Sequence, residues 1–260
     1  MMVYGLTIKR MVSGVRIQLL MVIVLFPILA YGQEPKPLAE GDCMRPGPYR
    51  DYRHCDFNGR DLSSVNLEGS LLSGVNFQNA KLLDCNLKHA ILIDADLKWA
   101  MLSGCRAASA DFTNADLFHT NLDDTRIDNA NFTKAYLFGA SMNGVTGDRA
   151  SFADANLKDI SMEESRLTNS KFDHAFMMRA VLIDSDLSGS SFRQVVLTGA
   201  ALEYANLTQA DLSGALLNGT TLTETKFRGA RLTGSRFVNA RMQSPDFTDV
   251  IDPPKDLVPE

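Results

Sequence analysis

Large apolar residues recur along this chain at every fifth position. Phe57, Leu62, Leu67, Leu72 and Phe77 open a register that reaches Phe247 without insertion or deletion. Of its 39 positions, called centres below, all but Ala107 and Gly147 are Leu, Phe, Met or Ile. Two residues before the centre, Ala occurs 19 times, with Ser, Thr, Val and Cys at most of the rest. Asp or Asn directly precedes the centre 15 times, and twelve of the thirteen glycines between residues 55 and 249 lie two residues after one. A helix would spread this pattern round its surface, and a strand would alternate it between two faces. The spacing predicts instead a chain that turns a corner every five residues, with glycine supplying the backbone freedom a tight corner needs. Phe112, Phe132, Phe152, Phe172 and Phe192 are spaced by 20, so four pentapeptides per coil would stack their rings in one column. Small residues ahead of each centre let the walls approach, and the large residue fills the middle.

ADLFH (115–119), ANFTK (130–134) and ANLTQ (205–209) follow A(D/N)LXX, and here the chain resembles the pentapeptide-repeat family over residues 55–249. The resemblance implies an all-β fold, a right-handed quadrilateral β-helix of about ten coils. At the ~4.8 Å spacing of hydrogen-bonded β stacks this is a rod roughly 45 Å long. Solenoids touch only their neighbours along the axis and need capped ends. Residues 33–54, with four prolines, are expected to be the N-terminal cap, and residues 250–260 a Pro-rich tail at the other edge. Ala107 and Gly147 fall on one wall, and the larger inward residues Cys105 and Val145 beside them read as local volume compensation.

Composition adds a compartment. Residues 1–32 carry Lys9, Arg10 and Arg16 and no acid, so the formal net charge of -5 becomes about -8 over residues 33–260. That disfavours direct nucleic-acid binding through a basic patch. IQLLMVIVLFPILA (17–30) is a 14-residue apolar run, shorter than the ~20 residues of a membrane span, and Ala30 and Gly32 suit a signal peptidase. Residues 1–32 therefore read as a signal peptide, and the chain as exported, periplasmic or extracellular. Membrane attachment enters only through an uncleaved signal.

The chemistry is sparse. Cys55, Cys85 and Cys105 occupy the small inward position and read as core residues. Cys85 and Cys105 stack one coil apart, but parallel side chains argue against a bond between them. Cys43, twelve residues before Cys55, makes with it a candidate disulfide tying down the cap. His89, His119 and His174 fall on three different walls and His54 in the lead-in, so no metal site is expected. GxSxG, P-loop and GxGxxG motifs are absent. Neither catalysis nor a cofactor is expected.

Outward residues separate by wall. The wall of Phe57, Phe77 and Leu97 presents Trp99, Phe118, Tyr136, Phe138, Phe176 and Met178, then Val196, Leu216 and Val238. The wall of Leu62, Leu82 and Leu102 carries Asp61, Asp84, Asp123, Asp124, Glu163, Glu164, Asp184, Glu203 and Glu224 against only Lys81 and Arg241. The third holds Arg106, Arg126, Arg149 and Arg166, nearly cancelled by acids. An apolar strip in successive coils points to a protein partner or self-association, and the acidic wall to electrostatic steering or to a solvated face. The expected function is an exported, non-catalytic interaction or scaffolding surface. The alternative is a DNA mimic that inhibits or protects a type II topoisomerase such as gyrase, as the resemblance implies for some members giving quinolone resistance. Export and the lack of a C-terminal dimerisation helix argue against it.

Overall fold

The structure, a computed structural model, describes residues 37–257, so the signal-peptide reading of residues 1–32 lies outside the described residues. Parallel β-bridges join each residue ahead of a centre to the residue twenty positions on: Asp56 to Asn76, Asn76 to Asp96, Asp96 to Asp116, and so along every wall to Lys226 with Asp246 and Arg231 with Ile251. Four pentapeptides make one coil. The walls are numbered by their centres: first (Phe57, Phe77, Leu97), second (Leu62, Leu82, Leu102), third (Leu67, Leu87, Ala107) and fourth (Leu72, Leu92, Phe112).

The bridges are single residues because a corner follows each one. In most repeats the N–H three residues beyond the centre donates back to the centre's carbonyl, as from Arg60 to Phe57 (3.1 Å) and from Ala80 to Phe77 (2.9 Å). The residue between, two after the centre, has positive φ in all 39 repeats, the mark of a type II turn. Glycine holds twelve of these corners. The rest include Asn129 (φ 56°), Trp99 (61°) and Tyr204 (61°), at a left-handed cost of roughly 1–2 kcal/mol each. The solenoid tolerates side chains at corners that the sequence pattern assigns to glycine.

Backbone bookkeeping explains the Asp/Asn preference. In Phe57–Asp61, Phe57, Gly59 and Arg60 donate to Asn76 (2.8 Å), Gln78 (2.8 Å) and Phe57 (3.1 Å), and in the next coil Lys81 donates back to Arg60 (2.8 Å). The amide one after the centre is left over. Each of the fifteen Asp or Asn residues ahead of a centre accepts it through Oδ1, as Asp56 does from Asn58 (2.9 Å) and Asp116 from Phe118 (3.1 Å). Where that position is Ser, Thr or Arg, the acceptor can come from one coil earlier: Asp123 serves Asn143 (2.9 Å), Asp128 serves Asp148 (3.0 Å), Asn143 serves Glu163 (2.9 Å), Asp173 serves Arg193 (3.1 Å) and Asn218 serves Val238 (3.1 Å). Unpaired amides are costly, so both arrangements matter.

The centres are buried as far as Phe237, while Met242 is exposed and Phe247 partly buried at the C-terminal end, and the phenylalanine column forms as the spacing of 20 requires. Phe112–Phe132, Phe132–Phe152, Phe152–Phe172 and Phe172–Phe192 stack at 4.7, 5.0, 5.0 and 4.6 Å with planes within 5°. Inward hydroxyls stay satisfied by donating to a centre carbonyl, of the preceding coil as from Thr120 to Leu97 and Thr225 to Leu202 (both 2.8 Å), or of the preceding repeat as from Thr220 to Leu217 (2.7 Å). At Gly147 the missing side chain is made up along the axis: an added Cβ would lie 2.6 Å from Ile127 Cγ1 and 3.2 Å from Leu167 Cδ2. Ile127 and Leu167, above and below, fill that space.

Two departures from the expectations concern the ends and the cysteines. The bridge network begins inside the lead-in, with Glu40 to Asp51 and Asp51 to Leu71. Tyr52 is buried as a further centre, its hydroxyl donating to Gly47 O (2.8 Å) and accepting from Gly47 N (2.6 Å). Gly41 is required beneath it, since a Cβ there would overlap the Tyr52 ring. Cys85 and Cys105, expected to run parallel and unbonded, form a disulfide with Cα atoms 4.5 Å apart. Adjacent coils are close enough for two inward side chains to turn towards each other. Cys43 and Cys55 form a second disulfide with Cα atoms 5.7 Å apart. At the far end Phe227 stacks on Phe247 (4.9 Å), Phe237 meets both edge-on, and Leu257 of the 3-10 turn Lys255–Leu257 packs against this core. Among the described residues no helix is long and apolar enough to cross a membrane.

Candidate interaction surface

Tyr136 and Phe138 flank the same first-wall centre, Leu137, while Phe118 and Trp99 come from the two preceding coils. The coil spacing brings them into one cluster. Phe118 lies 5.7 Å from Phe138, 6.1 Å from Tyr136 and, edge-on, 5.2 Å from Trp99. His119 stacks flat on Trp99 at 4.5 Å and meets Phe118 edge-on at 4.3 Å. Sequence reasoning passed over His119 as a packing partner, although its place two after Leu117 puts it directly next to Trp99 two after Leu97. Lys158 Nζ lies 5.4 Å from the centroid of Phe138 and borders the cluster with a cation. Trp99 and Tyr136 remain exposed (53% and 39%), with Phe118 and Phe138 half-buried.

Phe176 and Met178 are not in this cluster. Asn156 bridges Tyr136 on one side and Phe176 on the other, so a polar coil holding Asn156, Lys158 and the Asp159–Arg179 ion pair (2.6 Å) interrupts the strip. Arg179 itself belongs to the next coil, where Phe176, Val196 and Leu216 begin to follow one another through successive bridges. The first wall carries two apolar patches where the sequence pattern suggests one.

On the second wall, Asp123, Asp124, Glu163 and Glu164 line one open depression with Asn143 and Gly144. Asp61, Asp84, Asp184, Glu203 and Glu224 lie elsewhere along it. Asp123 is partly spent locally, accepting from Ser141 Oγ (2.6 Å) as well as from the Asn143 amide. Hydrogen bonds from the Ser63 hydroxyl (2.7 Å) and amide (3.0 Å), with the charge of Lys81, hold the Asp61 carboxyl below its ordinary value. On the third wall Arg149 pairs with Asp148, in keeping with its mixed charge.

His89, His119 and His174 lie on separate walls, as the register requires. In the lead-in, the ring of His54 lies against the sulfurs of both Cys43 and Cys55, which are bonded to each other, a grouping hidden from the sequence because Cys43 and His54 precede the register.

The pentapeptide repeat region family model matches residues 55–132, and the pentapeptide repeats (8 copies) model matches 148–182, 161–199, 177–214 and 205–243. Among curated proteins no sequence matches. Solved structures similar to this chain include HetL of the cyanobacterium Nostoc sp. strain PCC 7120, a pentapeptide repeat protein involved in heterocyst differentiation regulation (23% identity, 80% of this chain and 92% of that one, TM-score 0.43). Another is a trypsin-treated variant of QnrB1, a plasmid-mediated fluoroquinolone resistance protein (22%, 70% and 86%, TM-score 0.37). A third is Rfr23 of the cyanobacterium Cyanothece 51142 (21%, 45% and 91%, TM-score 0.37).

Proposed function

The chain belongs to the pentapeptide-repeat family, and we propose that it is an exported, non-catalytic scaffold that docks another protein, or a second copy of itself, on the aromatic cluster of its first wall. The observation that carries this reading is the convergence of Trp99, Phe118, Tyr136 and Phe138 within 5.2–6.3 Å of their neighbours on the outside of the rod. Aromatic side chains that are already ordered by one another lose little conformational freedom on binding, and such residues dominate interface energies. The acidic second wall, adjoining the first, would steer a basic partner towards it. Export rests on the basic start, short apolar run and small residues at 30 and 32.

Phe118→Glu with Phe138→Glu places two charges in the cluster without touching a buried centre. The double variant is expected to keep its far-ultraviolet circular dichroism and lose association in sedimentation and cross-linking. Sedimentation and cross-linking unchanged from the wild type would overturn the assignment of the surface.

A further inference from the structure

Away from both walls, one cluster at the N-terminal end collects metal-ligand side chains. Cys43, His54 and Cys55 bring two sulfurs and an imidazole nitrogen within 4.8 Å of one another, the only such group of three among the described residues. His54 Nε2 lies 3.3 Å from Cys43 Sγ, 3.4 Å from Cys55 Sγ and 3.3 Å from Glu40 Oε1. Two sulfurs and a carboxylate thus surround one ring nitrogen. A disulfide needs neither the ring nor the carboxylate, whereas a tetrahedral zinc ion uses all four.

Zinc bonds of about 2.3 Å to sulfur and about 2.0–2.2 Å to nitrogen and oxygen set tetrahedral edges of about 3.5 Å for S···N and about 3.4 Å for N···O. The three separations at His54 Nε2 already come close to those edges. Two adjustments remain: the sulfur–sulfur edge must open, since two ligating thiolates stand about 3.8 Å apart and here they are bonded, and the exposed Glu40 side chain must swing closer to the sulfurs, because it lies outside the group whose ligand atoms are within 4.8 Å of one another. We propose that Cys43, Cys55, His54 and Glu40 form a redox-gated site for zinc-class divalent ions, open when the cysteine pair is reduced and closed by the disulfide. A dithiol reductant supplies two electrons and two protons, the Sγ–Sγ bond breaks to give two thiols, and the reductant closes to its own disulfide. The ion then binds as both thiols release their protons to solvent. A chain not yet oxidised after synthesis needs no reductant.

The surrounding backbone holds these ligands in place. Gly41 N donates to Asp51 O (2.9 Å) and Asp51 N to Ala39 O (3.0 Å), fixing Glu40 between them. The Arg60 guanidinium donates to Cys43 O, and Cys55 N donates to Tyr52 O (2.8 Å). Asp51 is occupied by Arg53, which leaves Glu40 as the available carboxylate. The His54 and Glu40 side chains are open to solvent (41% and 77%), so an ion can approach. Thiolate and imidazole ligands favour zinc over magnesium or calcium.

Cobalt(II) is the probe, because thiolate ligation in a tetrahedron gives charge-transfer and intense d–d absorption. The background is Cys85→Ala with Cys105→Ala, which removes the core thiols and places the commonest inward residue at both positions. With a phosphine reductant, this protein is expected to bind one cobalt per chain with that spectrum, displaced by zinc. His54→Ala and Glu40→Gln should each weaken binding at least ~10-fold, and oxidised protein should show no spectrum. Glu40→Gln is a surface change, so it tests the site without threatening the fold. No cobalt spectrum in reduced, folded protein would overturn the proposal. So would equal binding by oxidised protein, or binding indifferent to both His54→Ala and Glu40→Gln. None of these readouts involves the aromatic cluster, so the site stands or falls separately from the docking surface.

Discussion

The carboxylate of Asp173 serves three donors: the Arg193 amide (3.1 Å), the Arg193 guanidinium (2.6 Å to Oδ2) and the Ser191 hydroxyl. Burial pushes its pKa up, but the bonds from Arg193 and Ser191 outweigh that and leave it below the ordinary aspartate value. A depressed folded pKa contributes stability that is present above the unfolded pKa and lost as pH falls through the folded one. Thermal stability is therefore expected to decline below pH ~4, the unfolded aspartate range. Asp173→Asn keeps an acceptor for the Arg193 amide but removes the charge, so its melting temperature should decline less with acid than the wild type's. Asp173→Ala also strands the amide and should be less stable than Asp173→Asn at neutral pH by about 1 kcal/mol. Equal melting temperatures for the two variants would show that the axial amide bond contributes nothing.

At the level of the coil, the five stacked rings from Phe112 to Phe192 test whether the column acts as a unit. Phe152 packs against Phe132 and Phe172, each at 5.0 Å, so Phe152→Ala removes two contacts and leaves a cavity in a wall without slack. A loss of about 3–5 kcal/mol in denaturant unfolding is expected. Phe152→Leu keeps the commonest centre residue and should cost markedly less. This column was legible in the sequence because a spacing of 20 in one dimension fixes neighbours in three, and the same holds for the Trp99–Phe118–Phe138 contacts. What the register could not convey depends on things it does not contain. The Cys85–Cys105 bond depends on side-chain rotation between coils. The break in the apolar strip depends on how the Asn156 coil sits between Tyr136 and Phe176. The grouping of Cys43 with His54 depends on a lead-in that does not repeat. The reason for Asp and Asn ahead of the centres lay in an amide left unpaired, which no count of residues shows.

For the molecule as a whole, a solenoid whose coils touch only their neighbours is least stable where a coil has one neighbour instead of two. At the N-terminal end that coil is held by the buried Tyr52, the bridges of Asp51 and the disulfide from Cys43 to Cys55, which closes a loop with a sequence separation of 12. Closing a loop of this length is worth about 3 kcal/mol in the chain-entropy account. Because stability is transmitted coil by coil, Cys43→Ala with Cys55→Ala should not weaken the rod evenly. Hydrogen exchange should accelerate most at the amides of Tyr52, Phe57 and Leu62, whose partners lie in the first coils. The amide of Phe152, bonded to Lys171 O mid-rod, should change little. A uniform acceleration along the rod would mean that the chain opens as one cooperative body, and that the disulfide acts on global stability and not on the end it closes.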